Sequence, residues 1–298
     1  MLKRTLLPAL LCLPFIVSAQ SRPITLAYQV THSVNMDPTF SPDGKEMIYI
    51  SIIGGKEQLF RAAIDGTNSK QLTRDDADHE DPAWSPDGKH VAFVLIKDNV
   101  EQVHLMDADG ANVEALAPKE HRTIHPSWHP DGKSVVYCTD DDLKPPKKND
   151  SEIYSVDIAT KKVTTLISGG VNTFPVWSPD GKNLVFRRMV GETNSEVFVA
   201  NADGSAARNL TNDPAFDGWP AWSPDGSKIA FASNRKGSYE IYLMNPDGGG
   251  VQKVANSEGR GTSPKWSRDG KTIYYTICKK VDLSYDCQIY AAKLDALR

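Results

Sequence analysis

The sequence predicts an all-β protein, a six-bladed β-propeller whose blades each contain four antiparallel strands. The first observation is a repeat, because a phrase of the form xPxWSPDGKxxxF stands six times along the 298 residues. The second is its period: the glycines of the copies are 44, 44, 49, 45 and 44 residues apart, a spacing typical of propeller blades. The third is that further strand-like segments follow each copy. The glycines are Gly44, Gly88, Gly132, Gly181, Gly226 and Gly270.

The repeated phrase supplies the first two strands of each blade, A and B, and the turn between them. In Ser85-Pro86-Asp87-Gly88, proline presets φ for the second turn position and glycine suits the fourth. The segment that follows, HVAFVLI (90–96), alternates side chains as a strand does. One aromatic slot recurs on strand A, and we expect its large rings to pack between neighbouring blades. The slot holds Phe40, Trp84, Trp128, Trp177, Trp222 and Trp266.

Two shorter segments complete each unit as strands C and D. Strand C places an aliphatic and an aromatic side chain on opposite faces, as in EIY (240–242). An Asp-Gly turn such as NADGSA (201–206) then leads to a short strand D such as RNLT (208–211). The sixth unit has no strand D of its own. We expect PITLAYQVT (23–31) to complete this last blade, so that the N-terminal strand closes the ring and removes an exposed edge.

The first 19 residues have the features of a cleaved secretory signal peptide. Lys3 and Arg4 precede the apolar segment LLPALLCLPFIVS (6–18), and small residues allow a cut after Ala19. That segment is too short to span a membrane, and no later segment is apolar enough to do so. We therefore expect residues 20–298 to form one propeller domain that is periplasmic in a Gram-negative cell, or secreted. We expect a monomer.

Charge and cysteine usage narrow the function classes. The formal net charge is −4, and loss of Lys3 and Arg4 makes it −6, which argues against a nucleic-acid partner. Secretion permits disulfides, and Cys278 and Cys287 are expected at the ends of two adjacent antiparallel strands, so they are the disulfide candidate. Cys138 is expected to pack as a small apolar residue in a strand.

The xPxWSPDGK phrase, the EIYxMxxDG segment (240–248) and the RxLT strand (208–211) together resemble the WD40-like repeats of the TolB family. The resemblance covers residues 23–298. It implies a propeller from the periplasmic Tol-Pal cell-envelope system, in which TolB binds the peptidoglycan-associated lipoprotein at a funnel on one face. Full TolB also carries an N-terminal α/β domain, which we expect this chain to lack. Related repeats occur in accessory propellers of peptidases and in oligogalacturonate lyases.

The repeat itself separates two faces of the predicted disc. The A–B and C–D turns form one face, which we call the turn face, and its sequences are repetitive. The D-to-A connections and B–C loops form the other, which we call the varied face, and loops at the mouth of a rigid scaffold commonly bind ligands. The residue before each repeated proline should surround this mouth, and these positions are named the channel ring. It consists of Asp37, Asp81, His125, Phe174, Trp219 and Ser263.

Aromatic and polar residues of the channel ring favour different functions. Phe174 and Trp219 offer a contiguous apolar contact for a partner, although packing onto adjacent loops is the alternative. His32, His79 and His125 with Asp81 are the candidate metal ligands, because imidazole and carboxylate groups bind divalent cations. They are dispersed among blades, and solvated charged loops are the other interpretation. The sequence assigns no cofactor but leaves a divalent metal at the channel mouth open.

No nucleophile elbow, phosphate-binding loop or dinucleotide fingerprint occurs in the sequence, and no catalytic residue is assigned. The first hypothesis is a non-enzymatic, TolB-like scaffold that binds an envelope or other periplasmic protein through its varied face. The alternative is a carbohydrate-active or sugar-binding propeller, metal-dependent at its His- and Asp-rich channel mouth. Propellers host many functions, so fold alone does not decide between them.

Overall fold

Six antiparallel four-stranded sheets make up the computed structural model of the chain. It describes residues 35–118, 121–139, 150–254, 260–281 and 284–294, together with the backbone of Ser21–Pro23. These parts of the chain contain no helix that is long and apolar enough to cross a membrane. The expected all-β, six-bladed propeller is confirmed. The predicted signal peptide (1–19) and His32 lie outside the described residues, and so do residues 140–149 of the longest B–C loop.

The strands of the first three blades follow one another in chain order from the inner to the outer edge of each sheet. Blade 1 contains β2 (Asn35–Phe40), β3 (Glu46–Ile53), β4 (Lys56–Ala63) and β5 (Lys70–Gln71). Blade 2 contains β6 (Asp78–Trp84), β7 (His90–Lys97), β8 (Val100–Asp107) and β9 (Glu114–Ala115). Blade 3 contains β10 (Thr123–Trp128), β11 (Ser134–Thr139), β12 (Ile153–Asp157) and β13 (Val163–Ile167).

The next two blades repeat this order, and the last one departs from it at its outer edge. Blade 4 contains β14 (Asn172–Trp177), β15 (Asn183–Val190), β16 (Asn194–Asn201) and β17 (Arg208–Asn209). Blade 5 contains β18 (Asp217–Trp222), β19 (Ile229–Ser233), β20 (Glu240–Met244) and β21 (Gln252–Lys253). Blade 6 contains β22 (Arg260–Trp266), β23 (Thr272–Val281), β24 (Ser284–Lys293) and, outermost, β1 (Ser21–Pro23).

The N-terminal strand closes the last blade, as expected, but at a different place in the sequence. It pairs antiparallel with β24 over Ser21–Pro23, so it shares only Pro23 with the predicted segment 23–31. An outer strand has a neighbour on one side only, and four of the other five outer strands are two residues long. The amino-acid composition and the apolar alternation of so short a segment therefore say little about where an outer strand begins. Proline is tolerated there because an edge strand leaves N–H positions unpaired.

The aromatic slot of the inner strands packs between blades, as the repeat predicts. Trp128 is 9% exposed and belongs to one core cluster with Val94 and Leu105 of blade 2 and Val135 of its own blade. Its indole N–H also donates to the backbone oxygen of Ala83 in blade 2 at 2.9 Å. Each inner strand thus links two sheets through apolar contact and, in several blades, through a hydrogen bond.

The two kinds of hairpin turn lie side by side, which defines the turn face. In blade 1 the N–H of Ile64, at the start of the C–D turn, donates to the carbonyl of Lys45 in the A–B turn at 2.9 Å. The same bond recurs in blade 4, from Ala202 to Lys182. The D-to-A connections and B–C loops therefore share the opposite, varied face.

Cysteines occupy two kinds of position in the sheets. Cys278 and Cys287 are directly opposite one another on β23 and β24 and form a disulfide, with 4.0 Å between their Cα atoms. Cys138 on β11 is free and fully buried.

Candidate functional site

A central cavity of about 580 Å³ runs between the six inner strands. All six channel-ring residues line it, so positions up to 226 residues apart in sequence surround one space. The lining continues past the ring toward the turn face, where it includes the prolines of five A–B turns and Arg268 of the sixth. The structure thus brings the predicted positions together, and their function as a partner contact stays a prediction.

Each channel-ring residue sits in a β-bulge that directs its side chain. In blade 1, Met36 pairs with Ile50 and Thr39 with Ile48, so Asp37 and Pro38 together lie opposite Tyr49. The ring residues are all in the left-handed region, with φ between 48° and 54°. Such a conformation costs a non-glycine residue about 1–3 kcal/mol and is concentrated at functional sites. Proline suits the second bulge position because a bulge leaves a backbone N–H without a ladder partner.

Rings from three blades form a continuous aromatic arc on one half of the channel mouth. Phe174 has its ring centroid 3.7 Å from that of His125 and 5.5 Å from that of Trp219. Phe216 and Tyr239 extend the arc, each less than 6 Å from Trp219. All five side chains are half-buried. The aromatic arc therefore offers partly accessible, rigid apolar surface beside the cavity.

Two arginines stack on the aromatic arc. The guanidinium carbon of Arg187 lies 5.0 Å from the ring centre of Phe174 and 5.4 Å from that of Phe216. The guanidinium of exposed Arg260 lies 4.7 Å from the ring of Tyr239. Burial lowers the pKa of Arg187 to about 10, so the group remains a cation at neutral pH. This half of the mouth combines aromatic rings with positive charge.

The opposite half of the mouth is acidic. Burial raises the pKa of Asp81 to about 6 and also raises the pKa of Asp37, which the Asp81 carboxylate raises further. Lys265 on the same cavity wall opposes both effects electrostatically. The backbone of Asp37 is also held in place, since its N–H donates to the hydroxyl of Thr276 at 3.1 Å.

A second carboxyl pair lies behind this acidic half. Burial raises the pKa of both Glu57 and Glu80, and the Glu57 carboxyl raises that of Glu80 further. Two carboxyl groups in contact ionise together only at a high electrostatic cost, so the pair retains a proton near neutral pH. The backbone N–H of Glu57 donates to Asp78 at 2.9 Å, which fixes this segment at the start of β4.

His125 marks the boundary between the two halves. Burial and the nearby Arg187 cation hold its pKa well below the ordinary value, so its imidazole is neutral at pH 7. Its Nε2 lies 3.7 Å from Oδ2 of Asp81, and its Nδ1 lies 3.3 Å from the Cys138 thiol. Burial raises the pKa of that thiol to about 12, so Cys138 is uncharged at neutral pH.

The candidate metal ligands do not converge among the described residues. His79 is 2% exposed, pairs with Asp75 at 3.4 Å and stacks on Phe93, so it faces away from the cavity. Of the three candidates that the structure describes, Asp81 and His125 line the cavity and His79 does not. No group of three or more His, Cys, Asp or Glu side chains is placed to hold a metal ion in the part of the chain that the structure describes.

Sequence reasoning missed the residues that support the channel ring from behind. Arg187, Phe216 and Tyr239 contact ring residues but lie outside the repeated phrase. Arg187 carries a signal that a strand-by-strand comparison detects. It directly follows the buried aromatic residue of strand B, where the other blades have uncharged residues.

Comparison with known proteins places the chain in a family. A family model described as the TolB beta propeller domain matches residues 15–145 and 90–295, which together span most of the sequence. The chain belongs to the TolB β-propeller family. Its resemblance to that family is thereby confirmed. No curated protein matches the sequence significantly.

Solved structures share the fold over most of the chain. A putative TolB from Agrobacterium tumefaciens is 25% identical, with a TM-score of 0.71 over 93% of this chain and 97% of that one. TolB from Acinetobacter baumannii is 20% identical, with a TM-score of 0.64 over 88% of this chain and 63% of its own. An oligogalacturonate lyase from Vibrio parahaemolyticus shares the fold at 14% identity and a TM-score of 0.62, over 95% and 99% of the two chains.

Proposed function

We propose that this TolB-family propeller is a non-enzymatic, periplasmic protein-binding scaffold that acts in the cell envelope through its varied face. Membership of the TolB family supports this assignment. The observation that carries it is the aromatic arc: contiguous, half-buried rings beside an open cavity, with arginines stacked on them. Aromatic and arginine side chains provide most of the binding energy at many protein interfaces.

Rigidity supports a binding role for the same residues. Phe174 and Trp219 are held on bulges of inner strands, with pairing to the second strand on both sides of each bulge. Aromatic side chains have few rotatable bonds, so little conformational entropy is lost when a partner covers them. A partner segment on the varied face would bury both rings without rearranging the blades.

The test is capture of partners from envelope extract by the purified mature chain and by a Phe174→Ala/Trp219→Ala double variant. We expect the double variant to lose at least one protein that the parent captures, because truncating two central aromatic residues costs about 2 kcal/mol or more at such interfaces. Quantitative mass spectrometry of the captured proteins is the measurement.

A matched control removes apolar surface elsewhere. Val113 and Val251 are 50% and 40% exposed, and neither lines the cavity. A Val113→Ala/Val251→Ala variant should capture the same proteins as the parent. If the two double variants behave alike, the varied face is not the partner surface.

A further inference from the structure

The guanidinium of Arg187 occupies a position that the other five blades fill with uncharged side chains. In every blade this residue of the second strand pairs with the residue just before the channel ring; in blade 4 the pair is Arg187 and Thr173. The repeat acts as an internal control, since it shows that a blade needs no charge here. The equivalent residues, all at most 2% exposed, are Ile50, Val94, Cys138, Ala232 and Thr276.

Arg187 also lacks a polar partner among the described residues. Its Nε is buried without a hydrogen bond, and no carboxylate pairs with its guanidinium. Two other half-buried arginines have polar partners: Arg188 donates to Asn172 at 2.7 Å, and Arg235 pairs with Asp217 at 3.0 Å. A buried charge is costly when unpaired, and stacking on two rings offsets only part of that cost.

Two residues next to Arg187 also point to a binding site at its guanidinium. The hydroxyl of Thr173, directly opposite Arg187, is buried and has no hydrogen-bond partner in the described parts of the chain. Gly218 of the next blade leaves room for the arginine, because a Cβ there would lie 3.1 Å from Cδ of Arg187 and 3.4 Å from the Phe216 ring. The other blades carry a side chain at the position of Gly218. Two departures from the repeat, an added cation and a removed side chain, therefore meet at one point.

We propose that Arg187, together with Phe174, Phe216 and Trp219, forms a binding site for a carboxylate carried on an aromatic or aliphatic body. The planar guanidinium matches a carboxylate through paired N–H donors, and the side chain is only half-buried, so part of it is accessible. The rings supply apolar contact for the body of the ligand. Asp37 and Asp81 line the opposite side of the cavity and disfavour ligands with more than one negative charge.

The test uses the purified mature chain and isothermal titration calorimetry, so it does not depend on the proposed protein partner. Probes are benzoate, its neutral analogue benzamide, and inorganic phosphate. We expect benzoate to bind and the other two not to bind. Loss of a charge-assisted hydrogen bond should weaken benzoate binding by about tenfold or more in Arg187→Met. Arg208→Met is the matched control, because Arg208 is exposed and donates to backbone carbonyls of the C–D turn in blade 5.

A second pair of probes identifies the source of the carboxylate. N-acetylglycylphenylalanine and its C-terminal amide compare a peptide terminus with a free small acid. Tighter binding of the peptide acid than of benzoate indicates a chain terminus, and the reverse order indicates a small metabolite. Either order supports the site.

Three results would overturn the proposal: no carboxylate probe binds, benzamide binds as well as benzoate, or Arg187→Met retains the affinity of the parent. The first two need only the parent protein, so they hold even if the variant does not fold. Carboxylate binding with no captured envelope protein would refute the proposed function alone, and the opposite result would refute this site alone.

Discussion

Asp81 is a channel-ring residue whose charge depends on pH near the physiological range. Its side chain is 25% exposed, and burial raises its pKa from 3.8 to about 6. A carboxyl whose pKa is higher in the folded than in the unfolded state binds more protons when folded. Its contribution to stability is therefore complete below pH 4 and is lost as the pH rises to about 6 and above.

The variant Asp81→Asn has no titratable carboxyl at this position, so it should not lose stability as the pH rises through 6. Because a tenfold change in acid strength corresponds to about 1.4 kcal/mol and the site is partly solvated, we expect the variant to be about 1–2 kcal/mol more stable than the parent at pH 7.5. The advantage should vanish near pH 4. Urea unfolding across this pH range measures it.

Asp87 in the same blade is the control, with the opposite sign. The Ser85 hydroxyl and the Lys89 N–H hold the pKa of Asp87 below its ordinary value. Its stabilising contribution is present above pH 4 and is lost as the pH falls. Asp87→Asn should therefore destabilise the protein at pH 7.5, and a gain in that variant would contradict the electrostatic interpretation of both residues.

At the residue scale, the sequence predicts the channel ring because those positions vary where the repeat is otherwise constant. It predicts neither the left-handed conformation nor the bulge, since no glycine marks them. Asp37, Phe174 and Trp219 differ in chemistry, yet their φ angles agree within 6°. Arg187 was missed because a charged residue in a strand is usually assigned to a solvated face, and only contact with Phe174 and Phe216 reveals its environment.

Glycines are needed in the hairpin turns for two different reasons. Some supply only a left-handed backbone conformation, and others also allow a neighbouring blade to approach closely. Gly132 in an A–B turn has φ 72°, and a Cβ there would meet nothing within 4 Å. Gly204 in a C–D turn has φ 82°, and a Cβ there would overlap the backbone carbonyl of Leu166 in the preceding blade. The C–D turn glycine is therefore required for contact between blades as well as for the turn.

Gly132→Ala and Gly204→Ala form a matched pair. The first should cost about 1–2 kcal/mol, the strain of a left-handed alanine. The second should cost about 1–3 kcal/mol more, because the blades must also separate around the added methyl group. Denaturant unfolding of both variants measures the difference. Equal losses would mean that the close approach to Leu166 is relieved without cost.

At the element scale, the A–B hairpins and the order of strands were predictable because proline and glycine fix the turns and apolar alternation fixes the strands. The outer strands were predicted too long. In RNLT (208–211) the paired residues are Arg208–Asn209. Leu210, at 6% exposure, still donates its backbone N–H to the carbonyl of Val197 at 2.8 Å.

The whole ring is closed by three residues of the N-terminal segment. Ser21, Arg22 and Pro23 pair with Ala292, Ala291 and Tyr290 of β24. Blade 6 is built from the N-terminal strand β1 and from β22–β24, so its stability depends on segments that are far apart in sequence. Without β1, the outer edge of β24 would expose unpaired backbone groups.

Deleting residues 20–23 from the mature chain should lower the thermal midpoint by about 3–6 °C, as expected for loss of about 2 kcal/mol in a domain of this size. Differential scanning calorimetry measures it. Arg22→Ala keeps the backbone pairing and should melt like the parent. A deletion that leaves the midpoint unchanged would show that β1 contributes nothing to closure.

At the scale of the molecule, the six copies of the repeat predicted the number of blades, and the missing outer strand of the sixth unit predicted the closure. The distribution of charge around the channel was not predictable in the same way. It depends on which side chains of six blades meet at the cavity, and residues such as Asp37 and Lys265 are 228 positions apart.

In each blade, the bulge at the repeated proline holds one channel-ring side chain while the strand keeps its pairing on both sides. An aspartate, a histidine, a phenylalanine, a tryptophan and a serine all occupy the same backbone conformation around one cavity. A gene library randomised at these six codons would vary a closed circle of side chains while the sheets behind it keep their hydrogen bonds. The backbone thus accepts chemically different side chains at one equivalent position of every blade.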